Sequence, residues 1–484
     1  SRFMYLGIDL GTSSLKVLLL DTDEHIIDSV SMPLTVQHLQ PDFSEQNPHD
    51  WWQALQQAMR QLKTRQPASL RQIKGIGFSG QMHGATLLDE KGQILRPCIL
   101  WNDGRSSAEC RWLEQRADFI GITGNRVMAG FTAPKLLWVQ RHEPDIFARI
   151  AHVLLPKDYL RYRMSGDFAS DMADSAGTLW LDTARREWSE ELLVACNLTV
   201  SQMPDLYEGN QVTGTLYDAL ADEWGLPRKT PLVAGAGDNA ASAIGLGVIK
   251  AGDGFVSLGT SGVIFSASDQ YYANPQQAVH SFCHALPERW HQMAVTLSAA
   301  ASLSWFSRLT ATPEAQLAQE AEHHEAGDVL FAPFLNGERT PWNDPHLRGA
   351  FFGLADSHQR GHLTRAVMEG VAFSLADGYR ALQQAGCAPH QMIATGGGAR
   401  SQFWLQMIAD LTQCRIIVPT YADVGAAFGA ARLARLAIEP EALSHLTSHA
   451  VPATAIIRPQ SQPDLQARYQ RYQQLTRWLC QQEG

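Results

Sequence analysis

The stretch DLGTS, residues 9–13, returns with one exchange as SLGTS, residues 257–261. Apolar, β-like runs flank the first copy (FMYLGIDL and LKVLLLD) and also the second copy (GDGFVSL and VIFSAS). Two such runs joined by a short turn that contains glycine are typical of a β-hairpin. The sequence therefore predicts two similar hairpins, one at the start of the chain and one near its middle.

Each half of the chain also contains an apolar run, a glycine-rich turn and a helical pattern in succession. These segments are TPLVAGAGDNAASAIGLG (230–247) and QMIATGGGARSQFWLQMIADL (391–411). The repetition predicts an α/β fold of two duplicated domains, an N-terminal one over residues 1–245 and a C-terminal one over residues 246–484. We expect a cleft between them, and ligands favour such clefts.

A long helix and two short strands are predicted between the first hairpin and the first of these glycine turns. The helix covers NPHDWWQALQQAMRQLK (47–63), where Asn47 suits the N-cap and Pro48 the first helical position. Apolar residues then recur at helical spacing along one face. The strands are predicted at residues 73–80 and 96–101.

The composition is that of an ordinary globular protein, since 45% of the 484 residues are hydrophobic and 18% are charged. The net charge of −10 disfavours nucleic acid and anionic membrane as partners, because both attract a basic face. The sequence has no signal-peptide pattern and no apolar run of membrane-spanning length. Seven scattered cysteines without a Cys-x-x-Cys pair argue against a disulfide framework and predict a reducing, cytoplasmic location.

Four glycine-rich turns are candidates for phosphate binding, because backbone N–H groups can approach phosphate oxygens where side chains are absent. No P-loop and no dinucleotide-binding fingerprint occurs in the sequence. Hairpins of the DLGTS kind resemble the phosphate hairpins of the ribonuclease H-like fold that actin, hexokinase and the heat-shock chaperone ATPases share. The four turns are Gly11-Thr12-Ser13, Gly235-Ala236-Gly237, Gly259-Thr260-Ser261-Gly262 and Gly396-Gly397-Gly398.

Two aspartates lie in turns that should face a ligand. Asp9 ends the first predicted strand, where a carboxylate could hold Mg²⁺ through water. Asp238 follows a glycine turn and heads a predicted helix, so it is a candidate catalytic group or an N-cap, and these two roles are compatible.

Longer stretches resemble the FGGY family of carbohydrate kinases. GFTAPKLLWVQRHEP (130–144) is similar to the first family signature and GAFFGLADSHQRGHLTRAVMEG (349–370) to the second. SGQMHGATLLD, LWNDGR, LLPKDYLRYRMSG and GERTP resemble the branch of the family that phosphorylates the pentulose D-xylulose. Lys135, in the first signature, could bind phosphate or form a structural ion pair.

The resemblance implies a role for particular residues. Asp238 corresponds to the catalytic base and Asp9 to the aspartate near Mg²⁺ and the transferred phosphoryl group. The sugar site corresponds to Gln81, Met82, His83, Trp101, Asp238 and Asn239. The nucleotide site corresponds to Gly11, Thr12, Ser13 and Lys16 in the first phosphate hairpin, Gly259 and Thr260 in the second, and Gly397, Gly398 and Ser401 around the adenosine.

The resemblance also implies the reaction, an ATP- and Mg²⁺-dependent phosphorylation of D-xylulose at its 5-hydroxyl. A homodimer is one possible assembly, and the sequence leaves the oligomeric state open. Glycerol kinases of the family carry Arg-Glu where this chain has Met82-His83, which favours a pentulose over glycerol. Other ketoses or polyols, such as L-ribulose and L-fuculose, remain alternatives within the family. Two other classes rank lower: a non-catalytic sugar-binding regulator on the same fold, and a chaperone-like ATPase.

The exchange of Asp9 for Ser257 between the two hairpins has a physical interpretation. A single Mg²⁺ needs a carboxylate on one side of the triphosphate only. A second aspartate, at position 257, would add negative charge that no metal offsets. The sequence therefore predicts that the first hairpin holds the metal.

Overall fold

The computed structural model describes residues 3–325, 327–420, 425–448 and 452–482. Contacts within the chain divide it into two compact units. The first contains the described residues up to Ile249, the stretch Phe282–His291 and residues 425–448. The second contains the remaining described residues. The chain thus returns to the first unit twice after leaving it, and the domain division at residues 245 and 246 stays a prediction.

The strands of the described residues are β1 Met4–Leu10, β2 Ser14–Asp21, β3 Ile26–Pro33, β4 Glu45–Gln46, β5 Ile73–Gly80, β6 Thr86–Leu88, β7 Cys98–Ile99, β8 His152–Leu154, β9 Ala169–Asp171, β10 Leu181–Asp182, β11 Glu187–Trp188, β12 Asp205–Tyr207, β13 Val212–Thr215, β14 Pro231–Val233, β15 Ala236–Gly237, β16 Asp253–Leu258, β17 Gly262–Ser268, β18 His280–Cys283, β19 Trp290–Thr296, β20 Leu330–Ala332, β21 Ala350–Phe352, β22 Gln391–Thr395, β23 Arg415–Pro419 and β24 Ala453–Ile457.

The α-helices of the described residues are α1 Pro48–Arg65, α2 Pro67–Leu70, α3 Ser107–Arg116, α4 Phe119–Thr123, α5 Thr132–His142, α6 Pro144–Ala148, α7 Pro156–Ser165, α8 Met172–Ser175, α9 Glu190–Ala195, α10 Asp218–Trp224, α11 Asp238–Leu246, α12 Ala300–Thr310, α13 Glu314–His323, α14 Arg360–Ala385, α15 Gln402–Thr412, α16 Gly425–Ile438, α17 Leu443–Ser448 and α18 Pro463–Gln481.

The first unit is built on a mixed sheet with strand order β13-β14-β5-β1-β2-β3, and β15 pairs with β5 beside β14. β1 and β2 form the predicted antiparallel hairpin, while β1 and β5 are parallel. The predicted helix is confirmed as α1, with the Asn47 side chain accepting from the His49 N–H and Pro48 in the first turn. The predicted strand at 73–80 is confirmed, but the one at 96–101 shortens to Cys98–Ile99.

Successive residues of β1 point to opposite faces of this sheet, as in any strand. Leu6 and Ile8 belong to the core that α1 covers. Tyr5 packs instead with residues of α16, and a Cβ added to Gly7 would lie 2.0 Å from the Ala427 carbonyl oxygen of that helix. Helix α16 therefore closes the second face of the sheet, and glycine permits the close approach of its backbone.

The second unit repeats the central arrangement of the first. Within it the sheet runs in the order β17-β16-β22-β23-β24. β16 lies between the antiparallel β17 and the parallel β22, as β1 lies between β2 and β5. Helices α14 and α15 contribute most of the helical core, and Arg468 of α18 binds the buried Glu369 of α14 through bonds of 2.9 and 2.8 Å. The duplicated α/β architecture is confirmed.

Two further sequence expectations bear on the class of protein. Within the described residues, none of the helices combines the length and the apolar character that crossing a bilayer requires. The seven cysteines all lie in the described part of the chain, and no disulfide joins any two of them.

Candidate active site

Three parallel strand ends of the first unit bring the predicted site residues together. β1, β5 and β15 are neighbours, with Leu10 opposite Gly80 and Gly80 opposite Gly237. The chain continues from these ends into Gly11, Gln81 and Asp238 respectively. Ligands of open α/β sheets bind at the carboxyl ends of the parallel strands. The sheet register therefore places candidate residues from three separate sequence segments at one edge.

Asp9 lies in β1 between Lys16 of β2 and Ser79 of β5. Burial raises the pKa of Asp9 from 3.8 to about 6, against the opposing effects of the Ser79 hydroxyl and the Lys16 charge. Its Oδ1 is buried and has no hydrogen-bond partner among the described residues. A buried carboxylate oxygen is costly unless a donor or cation satisfies it. Asp9 thus has the surroundings of a residue that binds a positively charged group.

The first phosphate hairpin turns at Gly11, Thr12 and Ser13. The Gly11 N–H donates to the Ser14 carbonyl at 3.0 Å, which closes the turn, and the Leu34 N–H donates to the Ser13 carbonyl at 2.9 Å. Ser13 is exposed, while the residues beside it are half-buried. The turn is therefore anchored on both sides with its tip open to solvent.

Asp238 is the first residue of α11, and Gly237 takes the N-cap position without a side-chain cap. The Asp238 Oδ1 accepts from the Asn239 N–H at 2.9 Å. Burial and then the negative charge of Asp9 raise the pKa of Asp238 from 3.8 to about 7. The carboxylate is half-buried beside Asn239 and titrates near neutral pH, as a general base requires.

A buried arginine holds the strand that leads to Asp238. Arg161 of α7 donates to the carbonyls of Ala234 and, at 3.4 Å, Val233. Its Nη2 lies 3.0 Å from Asp158, which also binds the Lys157 ammonium at 2.9 Å. These contacts fix the chain at the end of β14, directly before the glycine turn at 235–237 that leads into α11. The ion-pair cluster therefore supports the position of α11.

Gln81 and Met82 follow β5 and are both buried. The Gln81 N–H donates to the Leu10 carbonyl at 2.9 Å, which ties the segment to β1. A Cβ added to Gly237 would lie 2.7 Å from the Met82 Cγ. Met82 therefore packs directly beneath the turn that presents Asp238, and glycine is needed there for space.

His83 adopts a left-handed backbone conformation, with φ of 75°. Its Nδ1–H donates to the Gly177 carbonyl at 2.7 Å, which directs Nε2 away from that carbonyl. The ring packs on Phe131 with centroids 4.6 Å apart, and the Thr132 hydroxyl donates to the His83 carbonyl at 3.0 Å. A positive φ is uncommon at a non-glycine residue, and these contacts hold His83 in that conformation.

Lys135 of the first signature supports the same loop rather than forming an ion pair. Its ammonium is buried and donates to the carbonyls of Ala129, Gly130 and Phe131 at 2.9, 2.7 and 3.1 Å. Burial lowers the pKa of Lys135 from 10.5 to about 7. The lysine thus holds the turn whose Phe131 packs against His83.

Trp101 joins the sugar-site candidates to the phosphate hairpin. Its side chain is 46% exposed, and its Nε1–H donates to the Thr12 hydroxyl at 2.9 Å. This hydrogen bond holds the partly exposed indole against the first phosphate hairpin.

Gln46, to which the sequence alone assigns no role, lies between Thr12 and Gln81. Its Nε2 donates to the Thr12 carbonyl at 2.7 Å, and its Oε1 accepts from Gln81 at 3.2 Å. In the sequence it stands directly before the helix start at Asn47 and Pro48. Nothing in its spacing indicates a site, so only the tertiary contacts reveal it.

The second unit brings its own candidate residues to one edge. Ser257 of β16 pairs with Thr395 of β22, and the turns at Gly259 and Gly396 follow these parallel strands. A Cβ added to Gly396 would lie 2.6 Å from the Leu258 carbonyl carbon, so the two turns pack directly together.

The helices behind these turns are anchored to them. The Ala300 N–H of α12 donates to the Gly259 carbonyl at 2.8 Å, and the Ala299 N–H donates to the Thr260 carbonyl at 2.9 Å. Ser401 is the N-cap of α15, where its hydroxyl accepts from the Trp404 N–H at 3.2 Å.

The glycines beside the Ser401 cap differ in the space around them. A Cβ added to Gly397 would meet nothing within 4 Å, whereas one at Gly398 would crowd Leu258. Gly397 therefore leaves room for a ligand beside the turn.

Comparison with known protein families shows that two parts of the chain each match a family domain. Residues 4–245 match the N-terminal domain of the FGGY family of carbohydrate kinases. Residues 254–438 match the C-terminal domain of that family. Together these matches cover most of the chain and both sets of candidate residues.

Individual relatives are similar over nearly the whole length. The chain is 52% identical to a xylulose kinase of Escherichia coli strain K12, over 90% of this chain and 91% of that protein. It is 41% identical to a xylulose kinase of Bacillus subtilis strain 168, over 89% and 87%. A crystal structure described as a xyloylose kinase from Brucella ovis superposes with a TM-score of 0.96 at 48% identity, over 98% of this chain and 99% of that one.

Proposed function

The chain belongs to the FGGY family of carbohydrate kinases, and from this membership we propose that it transfers the γ-phosphoryl group of ATP to D-xylulose. The products are D-xylulose 5-phosphate and ADP. The names of its relatives in Escherichia coli, Bacillus subtilis and Brucella ovis support D-xylulose as the substrate. The observation that carries the chemistry is Asp238, which has a pKa of about 7 at the edge that it shares with Asp9 and Gln81.

The proposed reaction is an in-line displacement at the γ-phosphorus. The 5-hydroxyl oxygen of the sugar forms a bond to phosphorus while the bond to the oxygen of the β-phosphate breaks. The hydroxyl proton passes to the Asp238 carboxylate, and the electron pair of the broken bond leaves with ADP. Little covalent work falls to the protein in phosphoryl transfer, so positioning and charge neutralisation dominate.

The residues around Asp9 fit a magnesium ion. Its buried Oδ1 has no hydrogen-bond partner among the described residues, and Mg²⁺ prefers oxygen ligands and keeps several waters. Asp9 would therefore hold the ion, in part through water. When bound, the ion would neutralise negative charge on the phosphates.

The remaining candidates divide between the two substrates. We assign the sugar to Gln81, Met82, His83, Trp101 and Asn239 beside Asp238. We assign the phosphates to the hairpins of the two units and the adenosine to the turn before α15. The residues of the nucleotide assignment are Gly11, Thr12, Ser13, Lys16, Gly259, Thr260, Gly397, Gly398 and Ser401.

Replacing the base tests the catalytic assignment. A general base contributes about 10²–10⁴ in rate, so Asp238→Ala should lose roughly that factor in kcat while still binding D-xylulose. Asp218→Ala is the matched control, because Asp218 is also half-buried and also the first residue of a helix, α10. A kcat near the wild-type value in Asp238→Ala would remove Asp238 from the mechanism.

A panel of ketoses and polyols tests the substrate. ADP release would be followed with D-xylulose, L-ribulose, L-fuculose and glycerol at equal concentrations. We expect the highest kcat/KM with D-xylulose. A higher value with another sugar would reassign the enzyme within its family, and sugar-independent ADP release alone would contradict a sugar kinase.

A further inference from the structure

Gln46 is held rigidly by contacts within the protein itself. It is 2% exposed and lies in the short strand β4, where it pairs with Cys98 of β7. Its neighbour Glu45 binds Arg96 at 2.9 Å and Arg105 at 3.4 Å. The backbone on which Gln46 stands is therefore fixed by strand pairing and by buried ion pairs.

The partners of Gln46 allow its amide only one orientation. The Trp51 indole can only donate, and it donates to the Gln46 Oε1 at 3.0 Å. The Thr12 carbonyl can only accept, and it accepts from the Gln46 Nε2 at 2.7 Å. Exchanging the amide oxygen and nitrogen would set donor against donor and acceptor against acceptor.

This orientation passes on to Gln81. Because the Gln46 Oε1 is an acceptor, Gln81 must turn its Nε2 toward it, and the two atoms are 3.2 Å apart. The Gln81 Oε1 is then directed elsewhere, and it is a buried atom without a hydrogen-bond partner among the described residues. A buried amide oxygen of this kind needs a donor, which a sugar hydroxyl supplies.

We infer that Gln46 is a positioning residue that ties the first phosphate hairpin to the sugar site and fixes Gln81 with its carbonyl oxygen toward a substrate hydroxyl. The inference rests on the proposed function, which assigns Thr12 to the nucleotide and Gln81 to the sugar. In this role Gln46 acts through its protein partners and not through contact with a substrate. It acts through one hydrogen bond on each side, so both substrates depend on the same amide.

The two ends of the amide can be tested separately. Gln46→Glu keeps an oxygen for Trp51 and Gln81 but places a second oxygen against the Thr12 carbonyl. We expect this variant to raise the KM for ATP about tenfold or more, with a smaller change in the KM for D-xylulose. Gln46→Met removes both polar ends at similar size, and we expect it to raise both KM values.

Gln56→Glu is the matched control. Gln56 lies on α1, and its Oε1 accepts from the Trp224 indole at 3.2 Å, the same kind of contact away from the site. Its kinetic constants should stay at wild-type values. Melting temperature and circular dichroism would be recorded for all three variants, since a charge beside Glu45 can destabilise Gln46→Glu, and Gln46→Met then remains informative.

Direct binding separates this inference from the proposed function. Calorimetric titration with D-xylulose and with Mg·ADP, each alone, should show weaker binding of both to folded Gln46→Met than to the wild type. A folded Gln46→Met protein whose two affinities and two KM values lie within twofold of the wild type would overturn the inference. Absence of D-xylulose-dependent ADP release in the wild type would instead overturn the proposed function.

Discussion

The Trp101 indole donates a hydrogen bond of 2.9 Å to the Thr12 hydroxyl, and the two residues come from segments with separate predicted ligands. Trp101 belongs to the predicted sugar site and Thr12 to the first phosphate hairpin. The Thr12 carbonyl is also bound, by Gln46. Thr12 is therefore held through its hydroxyl by Trp101 and through its carbonyl by Gln46.

Trp101→Phe should weaken the binding of both substrates, because it removes the hydrogen-bond donor to Thr12. The substitution keeps an aromatic ring, so the change is limited to that bond. A net hydrogen bond of about 0.5–1.5 kcal/mol corresponds to roughly 2- to 10-fold in kcat/KM. Steady-state kinetics with each substrate varied would measure it. Trp188→Phe is the control, since the Trp188 indole donates to the Pro204 carbonyl at 2.9 Å outside the site. An effect on D-xylulose alone would show that the bond to Thr12 carries no influence on ATP.

The pH profile should report the pKa of Asp238. Burial and the charge of Asp9 raise this pKa to about 7, and a base must be deprotonated to accept a proton. Activity is therefore lost as the pH falls: kcat/KM should drop about tenfold per pH unit below about 7 and level off above it. Asp9→Asn removes the negative charge, so the midpoint of this acid limb should move to lower pH even though the rate also falls. A wild-type midpoint near 4 would contradict the assignment.

Ser257→Asp tests why the two hairpins differ. Ser257 lies one residue before the end of β16, opposite Thr395, where a carboxylate would add charge next to the proposed phosphate hairpin. Like charges about 4 Å apart repel by roughly 1–4 kcal/mol near a protein surface, so the KM for ATP should rise about tenfold. Ser257→Asn serves as the control, because asparagine has nearly the same shape as aspartate but carries no charge. Equal KM values for ATP in the two variants would contradict the metal-based explanation of why Ser257 stands where the first hairpin has Asp9.

The features that the sequence predicted depend on local signals. The hairpin of β1 and β2 follows from two β-like runs and a glycine turn, and α1 follows from Asn47, Pro48 and the helical spacing behind them. No local signal brings Gly11, Gln81 and Asp238 together. The family resemblance, in contrast, assigned all three residues to one site.

The features that could not be predicted from the sequence depend on contacts between distant segments of the chain. Gln46 reads as a polar residue before a helix, and its role exists only because β4 lies beside Thr12 and Gln81. Helix α16 is apolar on one side, but no local pattern says that it covers the first sheet. A signal was present in β5, where Gly75 and Gly77 share one face, since glycine in a strand marks a close approach of another backbone.

Gly77→Ala should therefore disrupt the packing of α16 on the sheet, whereas Gly75→Ala should not. A Cβ at Gly77 would lie 1.9 Å from the Ala430 carbonyl oxygen, a backbone atom that can move only with the helix. At Gly75, on the same face, the nearest atom would be the Ile438 Cγ1 at 3.5 Å, an ordinary contact. Overpacking of this kind costs about 3 kcal/mol, so Gly77→Ala should lower the melting temperature by about 5 °C or more.

Gly75→Ala should leave the melting temperature unchanged or slightly higher, because alanine reduces the freedom of the unfolded chain. The strand that contains both glycines ends at Gly80, immediately before Gln81, so a shift of β5 should also reach the site. We therefore expect Gly77→Ala, and not Gly75→Ala, to raise the KM for D-xylulose. Equal melting temperatures for the two variants would mean that α16 can move away from β5 without cost, and that its close approach does not hold the site in place.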